Sequence, residues 1–136
     1  MKPWLVVEDE SDIRTIVTVL FDTWGHKPIA FKNGYEAFEW LDQIEAGTYA
    51  GDLPGLALMD IRMPGHYGTD IARRMRTIEA LKEIPIVLMT AFPTNDAKIQ
   101  ELVENKTIDH IINKPLPEMF ELKALLDRLC EARQKN

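Results

Sequence analysis

The chain is 136 residues long, 46% hydrophobic and 28% charged, which suits one domain around a single core and leaves no room for a second. Its net charge of −6 arises from 16 basic and 22 acidic residues; the basic ones are scattered, so the striped electrostatic footprint of a nucleic-acid binder is absent. No apolar run approaches the length of a signal-peptide core or a membrane span, so the expectation is a soluble, cytoplasmic protein, and with Cys130 as the only cysteine no intramolecular disulfide can form.

Short apolar runs alternate with longer segments of helical period, five of each, which predicts an α/β domain with a parallel sheet. Trp4 to Val7 is the first strand. Ser11 is expected to cap the first helix, whose stripe is Ile13, Ile16, Val17, Leu20, Phe21 and Trp24 and whose stop is Gly25. Pro28 to Phe31 reads as a short strand at a sheet edge, because proline cannot donate to a ladder. After an Asn33-Gly34 turn, Ala37, Phe38, Leu41 and Ile44 line a second helix ending near Gly47, and the stretch from Gly47 to Gly55 reads as loop.

Leu56 to Met59 is uninterrupted and apolar, the pattern of a central strand covered on both faces, and Asp60 stands at its carboxyl end. Ile71, Met75 and Ile78 mark a third helix, and Pro85 to Met89 a fourth strand ending at Thr90. Ile99, Leu102 and Val103 mark a fourth helix after Thr94, and Ile108 to Ile112 a fifth strand. Pro117 is placed early in the last helix, which is lined by Leu122, Leu125, Leu126, Leu129 and Cys130. That helix ends within a few polar residues of Asn136, so residues 1–136 are read as one domain with no output domain.

In an open parallel sheet, ligands bind beyond the carboxyl ends of the strands. Strand one ends at Glu8-Asp9-Glu10, strand three at Asp60, strand four at Thr90 and strand five just before Lys114. These residues are therefore expected to converge. Three carboxylates in one place repel, and a hard divalent cation relieves that repulsion; Mg²⁺ accepts one or two carboxylates and leaves positions for phosphate oxygens. A carboxylate is also a competent nucleophile toward phosphorus once the incoming charge is neutralised, and Lys114 and Thr90 are suitable donors. Glu10 is read as a helix cap or solvated loop residue. His26, His66 and His110 share no metal-ligand spacing, and Trp4, Trp24 and Trp40 are assigned to the core or its margin.

Four segments occur in the right order, each at the end of an apolar run: Val6-Val7-Glu8-Asp9-Glu10, then Met59-Asp60-Ile61-Arg62-Met63-Pro64-Gly65 with Gly68, then Met89-Thr90-Ala91, then Lys114-Pro115. Together they resemble a response regulator receiver domain, the phospho-acceptor module of two-component signalling, over nearly the whole chain. The resemblance implies a flavodoxin-like, doubly wound five-stranded parallel sheet in the order 2-1-3-4-5, flanked by five helices. It implies Asp60 as phospho-acceptor, with Mg²⁺ held by Glu8, Asp9, Asp60 and the backbone carbonyl of Arg62. Thr90 and Lys114 match the phosphate-sensing pair, Ala91 the small residue that admits the phosphoryl group, and Pro115 the proline that follows a generally cis bond.

The implied partners are a sensor histidine kinase or histidine phosphotransfer protein, and a downstream protein target reached through the face of helix four, strand five and helix five, with no nucleic acid and no membrane. Such a protein catalyses only its own phosphorylation and dephosphorylation. Three positions depart from the family pattern: Glu8 where aspartate is commoner, Ile111 where the switch residue is usually aromatic, and the long stretch from Gly47 to Gly55, read as a tolerated insertion in preference to a partner-specific loop. The missing aromatic keeps open an alternative, a constitutive interaction module without phospho-switching. A phosphatase acting through an aspartyl-phosphate is disfavoured, since Arg62 stands where its acid/base aspartate belongs.

Overall fold

A computed structural model describes residues 1–91 and 97–134. Its elements in chain order are β1 (Trp4–Val7), α1 (Ser11–Thr23), β2 (Pro28–Phe31), α2 (Gly34–Ala46), β3 (Ala57–Asp60), α3 (Gly68–Arg76), β4 (Ile86–Thr90), α4 (Ala97–Glu104), β5 (His110–Asn113) and α5 (Met119–Gln134). The strands form one parallel sheet in the order β2-β1-β3-β4-β5, so Pro28 does lie on an edge strand and β3 at the centre. Thr94 falls outside the described residues.

The period of two along each strand divides the core into two layers. Leu5, Val7, Ala57, Met59, Ile86 and Leu88 pack with α2, α3 and α4, whereas Trp4, Val6, Leu58, Val87 and Met89 pack with α1 and α5 through Val17, Phe21, Leu122 and Leu126. Both faces of β1, β3 and β4 are buried, which is why these strands read as unbroken apolar runs; each fully buried Leu or Met contributes about 1.5–3 kcal/mol. Trp4 and Trp40 are core residues and Trp24 packs at its margin. No helix among the described residues is long and apolar enough to cross a membrane.

Several boundaries differ from the sequence reading for local reasons. Ser11 is the first residue of α1 and not its cap; Glu10 holds the cap position without a side-chain cap bond. Asn33 does more than turn the chain, because its side chain accepts a hydrogen bond from Glu36 N–H at 2.9 Å and caps α2. Pro117 lies outside α5: the Glu118 carboxylate accepts from Glu121 N–H at 2.9 Å, which sets the start at Met119. Ile78 lies beyond α3 and Ile108 precedes β5, yet both are buried.

Away from the strand ends, Asp109 ties three elements together. Its carboxylate accepts from Ile86 N–H at 2.8 Å, Arg76 at 3.1 Å and Arg133 Nε at 2.8 Å. Arg76 also donates to the carbonyls of Thr107, Lys82 and Ile84. Burial and the nearby Arg133 charge lower its pKa to about 10.

Candidate functional site

Parallel strands deliver their last residues to one rim of the sheet, and here that rim carries nearly every polar residue the sequence marked. Asp9, Glu10, Asp60, Arg62, Thr90, Ala91 and Lys114 line one cleft of about 140 Å³. Glu8 lies beneath it, fully buried. One ligand atom from each of Glu8, Asp9 and Asp60 falls within 4.8 Å of the others.

Lys114 brings a positive charge into contact with these acids. Its Nζ stands 2.7 Å from Glu8 Oε1, 3.6 Å from Asp60 Oδ1 and 3.8 Å from Glu10 Oε1. Glu10, read from sequence as a cap or solvated residue, is exposed as expected but faces this lysine. The short contact to Glu8 is an ion pair without hydrogen-bond alignment, so Oε1 of a fully buried carboxylate has no aligned donor. Its other oxygen accepts from Glu10 N–H at 3.1 Å.

The electrostatics follow from burial. Desolvation is the largest influence on Glu8 and raises its pKa; Lys114 opposes that, while Asp60 and Asp9 add to it. Asp60 is likewise raised by burial, with Lys114 opposing and Asp9 reinforcing. Burial works against the charge of Lys114, but its contacts with Glu8, Asp60 and Glu10 outweigh that and its pKa is raised. A hard divalent cation suits this donor set, since it would relieve neighbouring carboxylates that burial penalises when charged and that Lys114 alone must otherwise balance.

The backbone holds the cluster in register. Lys114 N–H donates to Thr90 O at 2.7 Å, and Ile61 N–H to Met89 O at 3.0 Å. The Lys114–Pro115 bond is cis. Thr90 is buried at the end of β4, and Ile111 is half-buried in β5 against the layer that contains α4. His110, beside it, is exposed on the whole but partly screened from water by its neighbours; that partial desolvation and then the Arg128 charge lower its pKa. His26 stacks on Trp4 with ring centres 3.7 Å apart and His66 on Phe38 at 3.6 Å, in keeping with packing roles.

Sequence reasoning passed over Arg14. From α1 its Nη1 donates to the carbonyl oxygens of Glu8 at 2.8 Å and Asp9 at 3.5 Å, fixing the turn that carries both acids through its backbone and not through their carboxylates. The available signal was a cation near a helix N-terminus, where the helix dipole disfavours one. Gly68 was noted only as part of a motif; a Cβ there would collide with the Asp60 carbonyl oxygen.

Comparison with known proteins agrees with this geometry. Residues 4–127 match the family model for the response regulator receiver domain. The phosphate regulon transcriptional regulatory protein PhoB of Pseudomonas aeruginosa is 32% identical over 130 residues, which cover 93% of this chain and 52% of that protein. The chain thus spans about half the length of that relative. A CheY-like receiver domain protein from Methanospirillum hungatei has the same fold, with a TM-score of 0.76 at 20% identity over 100% of this chain and 99% of that one. The response regulator TrrA from Thermotoga maritima, solved in complex with Mg²⁺ and BeF, has a TM-score of 0.70 at 26% identity, covering 95% of this chain and 99% of that one. With the match running over nearly its whole length and the acidic cleft at the carboxyl rim of a 2-1-3-4-5 sheet, the chain belongs to the response regulator receiver domain family.

Proposed function

We propose that this receiver domain accepts a phosphoryl group on Asp60 from the phosphohistidine of a sensor kinase or phosphotransfer protein, in a Mg²⁺-dependent reaction, and thereby changes the surface it presents to a downstream partner. The observation that carries the reading is the meeting of Asp60 with Lys114, Thr90 and two further carboxylates in one small cleft. Glu8, Asp9, Asp60 and the Arg62 carbonyl would hold the cation, which when bound neutralises charge on the phosphoryl oxygens.

In the transfer, an Asp60 carboxylate oxygen forms a bond to phosphorus as the bond from phosphorus to the donor imidazole nitrogen breaks, and the imidazole keeps that electron pair. Lys114, already 3.6 Å from the Asp60 carboxylate, supplies a positive charge and N–H donors to the phosphoryl oxygens. Ala91, beside Thr90 in the cleft lining, leaves the approach open. The Thr90 hydroxyl donates to the phosphoryl group, and the movement of its loop passes to Ile111, α4, β5 and α5 through the packing they share. Reversal by water would return Asp60 to its free state, and no other substrate is turned over.

Beryllofluoride, which binds an aspartate as a phosphoryl mimic, tests the switch. Amide chemical shifts should move in β4, α4, β5 and α5 when Mg²⁺ and beryllofluoride are added together, and should stay fixed in Asp60→Asn. Shifts confined to the cleft itself would instead favour a constitutive interaction module, the reading that isoleucine at position 111 keeps in play.

A further inference from the structure

The stretch from Gly47 to Gly55 looked like a tolerated insertion, but it is anchored to α2. Thr48 and Tyr49 N–H both donate to Gln43 O, at 2.9 and 3.2 Å, and Tyr49 OH donates to Asp52 O at 3.3 Å. The Tyr49 ring meets Trp40 edge to face, with centres 6.0 Å apart and planes at 83°, and Trp40 in turn packs on Phe31 at 5.5 Å. Held this way, the loop walls a groove of about 580 Å³ along the edge strand β2, lined by Ile29, Phe31, Trp40, Tyr49, Glu36 and Glu39 among others.

The chemistry of that lining is one-sided. Among the described residues no basic side chain lines the groove. The Glu36 carboxylate accepts from Lys32 N–H at 3.0 Å and lies 4.0 Å from Lys32 Nζ, outside the lining, whereas the side chain of exposed Glu39 has no hydrogen bond or ion pair among the described residues. Trp40 is 4% exposed, and its Nε1–H has no acceptor. Aromatic rings beside carboxylates attract a guanidinium or ammonium group through both cation–π and ionic contacts. An extended basic peptide carries such cations, and β2, as an edge strand, offers a place for its backbone on the outer side.

We infer that this groove is a docking site for an extended basic segment of a protein partner, with arginine or lysine side chains at Glu39 and Glu36 and its backbone along β2. It is a surface separate from the acceptor cleft, and the inference does not depend on phosphorylation of Asp60. The long loop is what creates it, since Tyr49 forms one wall.

The test uses the ¹⁵N-labelled full chain with Mg²⁺ present at saturation, so that the acidic cleft does not compete, and titrates it with hexa-arginine and hexa-glutamate peptides. Hexa-arginine should shift the Trp40 indole N–H and the Glu39 amide saturably, leave the Trp24 indole unmoved, and be matched by no effect of hexa-glutamate. Glu39→Lys should weaken binding roughly tenfold, and Tyr49→Ala should weaken it as well. Glu131→Lys, an equal charge change on exposed α5, should leave it nearly unchanged. Equal weakening by Glu39→Lys and Glu131→Lys, or shifts spread evenly over all acidic surfaces, would overturn the inference. Concentration-dependent Trp40 shifts without peptide would overturn it in favour of a second copy of this chain.

Discussion

Replacing Gly68 with alanine should uncouple the fold from the accurate placement of Asp60, the proposed acceptor. Gly68 opens α3 and donates its N–H to Ile61 O at 2.9 Å, so α3 starts directly against the carboxyl end of β3. An added Cβ would lie 3.1 Å from the Asp60 carbonyl carbon, closer still to its oxygen, and 3.3 Å from Leu88 Cδ2. Leu88 is fully buried and has no room to yield. Either the start of α3 or the Asp60–Ile61 peptide must therefore retreat by roughly 1 Å to restore ordinary contact. Overpacking of this kind costs about 1–3 kcal/mol, which for a chain of this length lowers Tm by roughly 4–10 °C. The same displacement at a reacting group costs up to about a hundredfold in rate. Thermal melting and the rate of phosphorylation by acetyl phosphate measure the two effects. Gly47→Ala is the control, because Gly47 has φ +77° with nothing within 4 Å of its missing Cβ, so alanine there costs about 1–2 kcal/mol of backbone strain without touching Asp60. A Gly68→Ala protein that melts and phosphorylates like the wild type would refute the argument that this glycine sets the position of Asp60.

Asp109→Ala should lower stability by about 3–5 kcal/mol, since it leaves Arg76 and Arg133 facing each other in a mostly buried site and removes the acceptor of Ile86 N–H; urea unfolding measures it. Asp60→Asn should stabilise the metal-free protein at neutral pH. Burial raises the folded pKa of Asp60 above its ordinary 3.8, so its contribution is fully present below the unfolded value and is lost as pH rises through the folded one. The advantage of the asparagine variant in EDTA should therefore fade as the pH falls through the carboxylate range, and melting curves across that range would reveal an opposite trend. Arg14→Ala should weaken Mg²⁺ binding with only a small change in melting temperature, because it frees the turn carrying Glu8 and Asp9; tryptophan fluorescence or calorimetric titration with Mg²⁺ reads the affinity.

Much of the fold is legible from local pattern because its physics is local. Unbroken runs such as Leu56 to Met59 announce strands covered on both sides, and Gly47, which ends α2 with φ +77°, is a stop that only the absence of a Cβ makes cheap. The acidic cleft was legible for a related reason: in a parallel sheet, a residue's place at the end of its strand already fixes the rim on which it lies. What stayed hidden depends on pairings between distant segments. Asp109 reaches Arg76 across 33 residues and Arg133 across 24, and no periodicity marks either. Tyr49 is held by its own N–H and that of Thr48, both bonded to the Gln43 carbonyl, which the side-chain pattern does not record, so an anchored loop looked like slack. Pro117 suits a first helical turn, yet the Glu118 cap wins the boundary.

The central claim is that Asp60 takes a phosphoryl group with the help of a divalent cation. Intact mass spectrometry after incubation with acetyl phosphate and Mg²⁺, alongside an EDTA control and Asp60→Asn, tests it most directly. A single phosphoryl addition to the wild type that disappears in both controls is the expected result. Folded, Mg²⁺-bound wild type that gains no phosphoryl group, from acetyl phosphate or from a phosphohistidine donor, would contradict it, as would an addition that persists in Asp60→Asn.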